Sequence, residues 1–155
     1  MTATHTYRSR IVWTGGSRGP ASDYKTYSRE FVVTIDGKPP LQGTADPAFL
    51  GDPALHNPED LLVAALSSCH MLSYLALCSS SGVVVAAYED DSVGTMSEVD
   101  RNFKMTDVLL RPRVVISAAS DRGKAERLHA RAHDVCFIAR SVNFPVRHEA
   151  TITSA

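Results

Sequence analysis

The sequence predicts an α+β domain in which antiparallel strands surround one long apolar helix. Three observations carry this. Residues 61–85 contain no Asp, Glu, Lys or Arg, a run much longer than a strand. Strand-like stretches lie on both sides of it, divided by Gly, Pro and Asp turn signals rather than by further helices. A second, polar helix follows late in the chain, giving the order ββ(β)αββαβ. At 155 residues, without repeats or low-complexity segments, the chain suits a single domain over 1–155.

Taken in order, residues 7–14 read as a strand with Ile11 and Trp13 on one face. Gly15, Gly16, Gly19 and Pro20 make a loop, and residues 24–35 read as a second, longer strand. Asp36-Gly37 followed by Pro39-Pro40 is a turn, and residues 41–56 are a loop or short strand leading to the helix. Asn57 can cap that helix, Pro58 fits its first position, and Glu59 and Asp60 place negative charge at the positive end of its dipole. Leu61, Leu62, Val63, Leu66, Leu72, Leu75 and Leu77 fall on nearly every side of a helical wheel, which predicts a helix buried all round. The run is long enough to cross a bilayer. Its serines, two cysteines and histidine, its acidic start and the lack of a flanking Lys/Arg cluster favour a soluble core helix. After Gly82 come two long strands, 83–99 and 103–119, joined as a hairpin at Arg101-Asn102. Asp121 then caps a second helix from 122 to about 135, and 146–153 closes as a strand.

Sixteen basic against seventeen acidic residues exclude the electrostatic footprint of a nucleic-acid or anionic-membrane binder. The start MTATHTYRSRIVW lacks an apolar signal region, and three cysteines do not make a secreted disulfide framework. Both predict a reducing, cytoplasmic setting.

The chemistry-bearing residues are thiols. Cys69 sits in the middle of the apolar helix beside Ser67, Ser68 and His70, and Cys136 follows the second helix in AHDVCFIARSV. A thiolate is the reactive species, and local charge and hydrogen bonding set how readily it forms. Cys78 lies nine residues after Cys69, half a turn away on the opposite face, and reads as a small core hydrophobe. His129, His133 and Cys136 share one helical face, with Cys69 as a candidate fourth metal ligand. The helix ends near Val135, and three ligands from one segment rarely close a tetrahedral site, so no metal or other cofactor is expected.

The stretch NPEDLLVAALSSC, followed far downstream by AHDVC, resembles the OsmC/Ohr family of thiol-dependent hydroperoxide reductases over essentially the whole chain. The shared pattern is Asn57-Pro58-Glu59, an apolar helix, a cysteine ten residues after the glutamate, and a second cysteine after a later helix. The resemblance implies an OsmC-like fold and an intertwined homodimer with sites at the subunit interface. It implies that Cys69 is the peroxidatic thiol, oxidised to a sulfenic acid by an organic hydroperoxide, and that Cys136 resolves it as a Cys69–Cys136 disulfide. A dithiol reductant, a dihydrolipoyl group or a thioredoxin-like protein, would close the cycle. Glu59 and an arginine would hold and polarise the site. Ten helical residues separate Glu59 from Cys69 by about 15 Å, which favours a site completed by the partner chain. The arginine is Arg18 in GGSRGP or Arg29 in YKTYSREF. The simplest alignment with the better-known branches of the family selects Arg18, which lies in a glycine loop; Arg29 is preferred because a strand and its neighbour Tyr27 would fix the guanidinium. His70-Met71 after Cys69, and Phe137 where many members carry proline after the second cysteine, mark an outlying branch. The apolar residues around the thiol predict a preference for bulky organic peroxides over hydrogen peroxide. The alternative reading is a redox-sensing or apolar-ligand-binding protein of the same fold.

Overall fold

The computed structural model describes residues 3–155. The chain divides into two compact units, Met1–Leu61 and Leu62–Ala155. In the first, β1 (Arg10–Trp13), β2 (Phe31–Thr34) and β3 (Leu41–Gly43) form an antiparallel sheet in the order β1-β2-β3. The second strand is shorter than its composition predicts. Residues 24–27 curl into a turn in which Asp23 Oδ1 accepts from the Lys25 N–H, and pairing starts only at Phe31 opposite Trp13 and Gly43. Arg29 therefore precedes the strand instead of lying in it, a correction to the sequence reading.

Helix α1 spans Pro58–Ser80 and starts where the sequence places it. The Asp60 N–H donates to Asn57 Oδ1 at 2.8 Å and the Asn57 N–H to Asp60 Oδ2 at 3.3 Å, a reciprocal cap that satisfies two otherwise unpaired donors. The expectation of burial all round is corrected. One stripe at four-residue spacing, Leu66, His70, Tyr74 and Cys78, is fully covered, while Leu72 stays 62% exposed.

In the second unit, the two predicted long strands each break into two. β4 (Val85–Asp90) and β5 (Val93–Val99) part at Asp91-Ser92, and β6 (Asn102–Leu110) and β7 (Pro112–Ile116) part at Arg111. The breaks coincide at Asp90. Its carboxylate accepts from the Arg111 N–H at 2.6 Å, from Ser92 Oγ at 2.7 Å and from Ser67 Oγ of α1 at 2.5 Å. A side chain that takes over backbone and hydroxyl donors at a corner lets each ribbon change sheet there. The residue after the second break, Pro112, has no N–H to lose and sits at a strand start, where proline is tolerated. The hairpin between β5 and β6 turns at Asp100-Arg101, one residue before the predicted place, with φ of 53° and 66°. That left-handed pair matches the twist of two-residue hairpins.

The predicted closing strand is likewise two, β8 (Val146–His148) and β9 (Thr151–Ser154). β8 pairs parallel to β6 and β9 parallel to β7, so the sheets β5-β6-β8 and β4-β7-β9 are mixed, not purely antiparallel. Parallel pairing needs a long crossover, and α2 (Arg122–Val135), capped by the Asp121 carboxylate on the Lys124 N–H, supplies it. Two cores result. Tyr74 and Cys78 pack with Val114, Ile116, Ala125, Ala132 and Ile152, and Leu66 with Val108, Leu110 and Val146. Gly94 on β5 faces Val63 so closely that a Cβ would lie 2.4 Å from its Cγ2, which lets α1 settle on the sheet.

Candidate functional site

The second unit brings together two of the predicted site residues. Cys69 comes from the middle of α1, and Cys136 caps the end of α2, its N–H donating to the His133 carbonyl at 3.3 Å. The two thiols are near enough for each to influence the other's protonation. Cys69 is half-buried and Cys136 is 1% exposed. Burial pushes the Cys136 thiol up to about 11, and the contact with Cys69 acts in the same direction. The N–H groups of Ala139, at 3.4 Å, and of Ile138 oppose it by donating to the sulfur. Cys136 therefore stays protonated at neutral pH. Cys78 is buried in the other core beside Tyr74, where desolvation raises its pKa and keeps it inert.

A groove of about 410 Å³ is formed by Leu72, Ser73, Ala76, Leu77 and Ser80 of α1 with Val135 and Phe137, sequence neighbours of the two thiols, neither of which lines it. Val135 and Phe137 bracket Cys136, and Leu72 and Ser73 lie one turn beyond Cys69. Phe137, 76% exposed, stands where a proline would carry far less apolar surface.

Behind the thiols is a feature that the sequence reading left open. His70 and His129 are both 1% exposed, and His70 Nε2 lies 3.0 Å from His129 Nδ1. The two rings are 6° from parallel, Tyr74 stacks on His129 at 3.8 Å, and His148 of β8 lies 5.6 and 5.8 Å from the two. Burial, with the neighbouring histidines, lowers His70 to about 4 and His129 to about 3, so both are neutral near pH 7. His70 Nδ1 and His129 Nε2 have no hydrogen-bond partner. Cys136 lies just past the end of α2 in extended backbone, and His129 turns its Nδ1 to His70. Among the described residues no group of three His, Cys, Asp or Glu side chains is arranged to hold a metal ion. His148 was missed because nothing local in VRHEA distinguishes it; only the parallel pairing of β8 carries it to the helices.

Glu59 and Arg29 belong to the first unit. Glu59 is half-buried in the first turn of α1. The Arg29 guanidinium lies 3.8 Å from the Tyr27 ring centroid and 4.9 Å from that of Tyr24, and donates to the carbonyls of both residues. Stacking therefore fixes Arg29, as expected of Tyr27, although no strand does. Arg18 is more exposed and pairs with Glu30 at 2.8 Å.

Residues 51–151 match the family model described as OsmC-like protein. The chain belongs to the OsmC-like family. Among solved structures, an OsmC-like protein of unknown function from Vibrio cholerae is 32% identical, with a TM-score of 0.87 over 96% of this chain and 100% of that one. An organic hydroperoxide resistance protein from Legionella pneumophila shares the OsmC-like fold at 18% identity, with a TM-score of 0.69 over 98% of this chain and 99% of that one. An uncharacterized protein from Bacillus subtilis, YmaD, is 25% identical over 101 residues, 62% of this chain and 67% of its own.

Proposed function

We propose that this OsmC-like protein is a thiol-dependent peroxidase that reduces organic hydroperoxides to alcohols. The observation that carries the reading is the meeting of a half-buried and a buried thiol, from distant parts of the chain, beside an apolar groove. The Cys69 thiolate attacks the terminal peroxide oxygen. An S–O bond forms, the O–O bond breaks, and the departing alkoxide takes up a proton to leave as alcohol. The Cys136 thiol then attacks the Cys69 sulfenic acid, an S–S bond forms, and water leaves. A dithiol, such as a dihydrolipoyl group or a thioredoxin-like protein, returns two electrons and two protons by exchange and is itself oxidised to a disulfide. The protonated, buried state of Cys136 supports its role as the second thiol, because it cannot compete with Cys69 for peroxide. The apolar groove supports an alkyl hydroperoxide over hydrogen peroxide, since only the former has surface to bury there.

Arg29 and Glu59 are assigned to hold and polarise the peroxide, contributed by the second copy in a homodimer. The uncovered apolar side of α1 supports a dimer. The thiol cycle needs a reducing compartment, and the cytoplasm suits it. The test is turnover of cumene hydroperoxide and of hydrogen peroxide with dihydrolipoamide as reductant. Sustained turnover with kcat/KM higher for cumene hydroperoxide is expected. A single oxidation without cycling would favour the sensing alternative, and equal efficiency with hydrogen peroxide would overturn the substrate assignment.

A further inference from the structure

We infer that the buried imidazole pair His70–His129 is a positioning device for disulfide closure: it sets the spacing of α1 and α2 at the level of the thiols, so that Cys136 reaches the oxidised Cys69. The inference rests on the peroxidase reading and names residues to which that reading gives no part. The two helices are tied by successive contacts. Tyr74 Oη donates to the Ala125 carbonyl at 3.1 Å, His70 meets His129 at 3.0 Å, and then Cys69 meets Cys136. The imidazole contact is the one beside the thiols. His70 directly follows Cys69, and His129 lies seven residues, about two turns, before Cys136, just past the end of α2.

Stability alone does not account for imidazoles here. Each ring leaves one buried nitrogen without a partner, which destabilises the fold, whereas two apolar side chains would fill the space without that cost. What a nitrogen-to-nitrogen hydrogen bond adds is a fixed distance and direction, where apolar packing tolerates slippage. The rings have little freedom to drift, since Tyr74 stacks on one and His148 closes on both. A disulfide demands such precision: its Cβ atoms must come within about 3.5–4.5 Å, and a misplacement of about 1 Å in a reacting pair costs on the order of a hundredfold in rate. Both rings are uncharged near neutral pH, so the pair fixes geometry without adding charge beside Cys69.

The test separates the two chemical steps. One equivalent of cumene hydroperoxide is added to the reduced protein. Cys69 sulfenic acid is followed by dimedone capture, and the Cys69–Cys136 disulfide by mass spectrometry after alkylation. His129→Asn places an amide atom where Nδ1 stood, and His129→Gln moves the amide out by one methylene. Both are neutral and polar, so they carry similar folding burdens. Sulfenic acid formation is expected to stay within about twofold of wild type in both. Disulfide closure should be near wild type in His129→Asn and about tenfold or more slower in His129→Gln, with the dimedone adduct accumulating. Tyr74→Phe, which removes the neighbouring tie, should slow closure by less than about threefold. Closure in His129→Gln as fast as in His129→Asn would overturn the inference, as would Tyr74→Phe slowing closure as much as His129→Gln. A wild-type protein that forms no disulfide would instead remove the peroxidase reading, and this inference with it.

Discussion

Lowering the pH from 7 to 4 should destabilise this protein chiefly through His70 and His129. Unfolded, each imidazole takes up a proton near pH 6.5; in the fold His70 does so only at about 4 and His129 at about 3. A folded-state pKa below the unfolded one means that the unfolded chain binds more protons across this range, so stability rises with pH and is lost as pH falls below 6.5. Each tenfold difference in proton affinity is worth about 1.4 kcal/mol, so His70 alone costs the fold about 3 kcal/mol by pH 4. His129, lowered further, puts the total at about 3–6 kcal/mol, the upper end if the two titrate independently, a large part of an ordinary domain's stability. His148, lowered by burial and by His133, acts in the same direction. Asp121, held below the usual carboxylate range chiefly by the Lys124 N–H, loses its contribution only at lower pH. Urea unfolding at pH 7.5, 6.5, 5.5 and 4.5 should show the midpoint falling by about 1–3 M across the series. The double variant His70→Gln/His129→Asn, which cannot take up those protons, should lose most of that slope whatever its stability at pH 7.5. A midpoint unchanged between pH 7.5 and 4.5, or the same slope in the double variant, would refute the reasoning.

Other expectations concern the thiols, the groove, the arginines and assembly. Cys69→Ser should abolish turnover and Cys136→Ser should stall after one oxidation, while Cys78→Ser retains full kcat and a redox-active Cys69–Cys136 pair by peptide mass spectrometry; a disulfide through Cys78 would reverse the role assignment. Phe137→Ala should lower kcat/KM for cumene hydroperoxide about fivefold, the loss of about 1 kcal/mol of apolar contact, and leave hydrogen peroxide unaffected. Arg29→Lys should fail to restore what Arg29→Ala loses, since an ammonium cannot stack on Tyr27 while donating in a plane to two carbonyls, and Arg18→Ala should cost less than either. Light scattering at micromolar concentration should give the mass of a dimer, and an active monomer would count against a shared site.

The start of α1 and the cap of α2 were legible because each is a local signal: a capping residue, a proline at the first turn, an aspartate before the second helix. The corners of the sheets were not. Residues 83–99 read as one strand because nothing in Asp91-Ser92 breaks a strand strongly; the break is imposed by Asp90, whose partners Ser67 and Arg111 lie far away in sequence. Arg29 was placed in a strand because Tyr24 and Tyr27 favour strands, yet both rings are used to stack on that guanidinium. The apolar wheel of α1 gave its hydrophobicity correctly but not its surroundings, since composition records what must be covered and not which surface covers it. The histidine pair was out of reach for a similar reason: its members are 59 positions apart and meet only because two helices cross.

The parallel pairing of β8 and β9 has a consequence for how the chain reaches this fold. Residues 146–154 complete both mixed sheets at once, after α2 has crossed over them. Until that segment arrives, β6 and β7 each present an open edge, and a hairpin such as β5–β6 can form locally but cannot be finished. Contacts of long sequence separation pay their loop entropy before they stabilise anything, so folding should be slow for a chain of this size and should stay aggregation-prone until that late step.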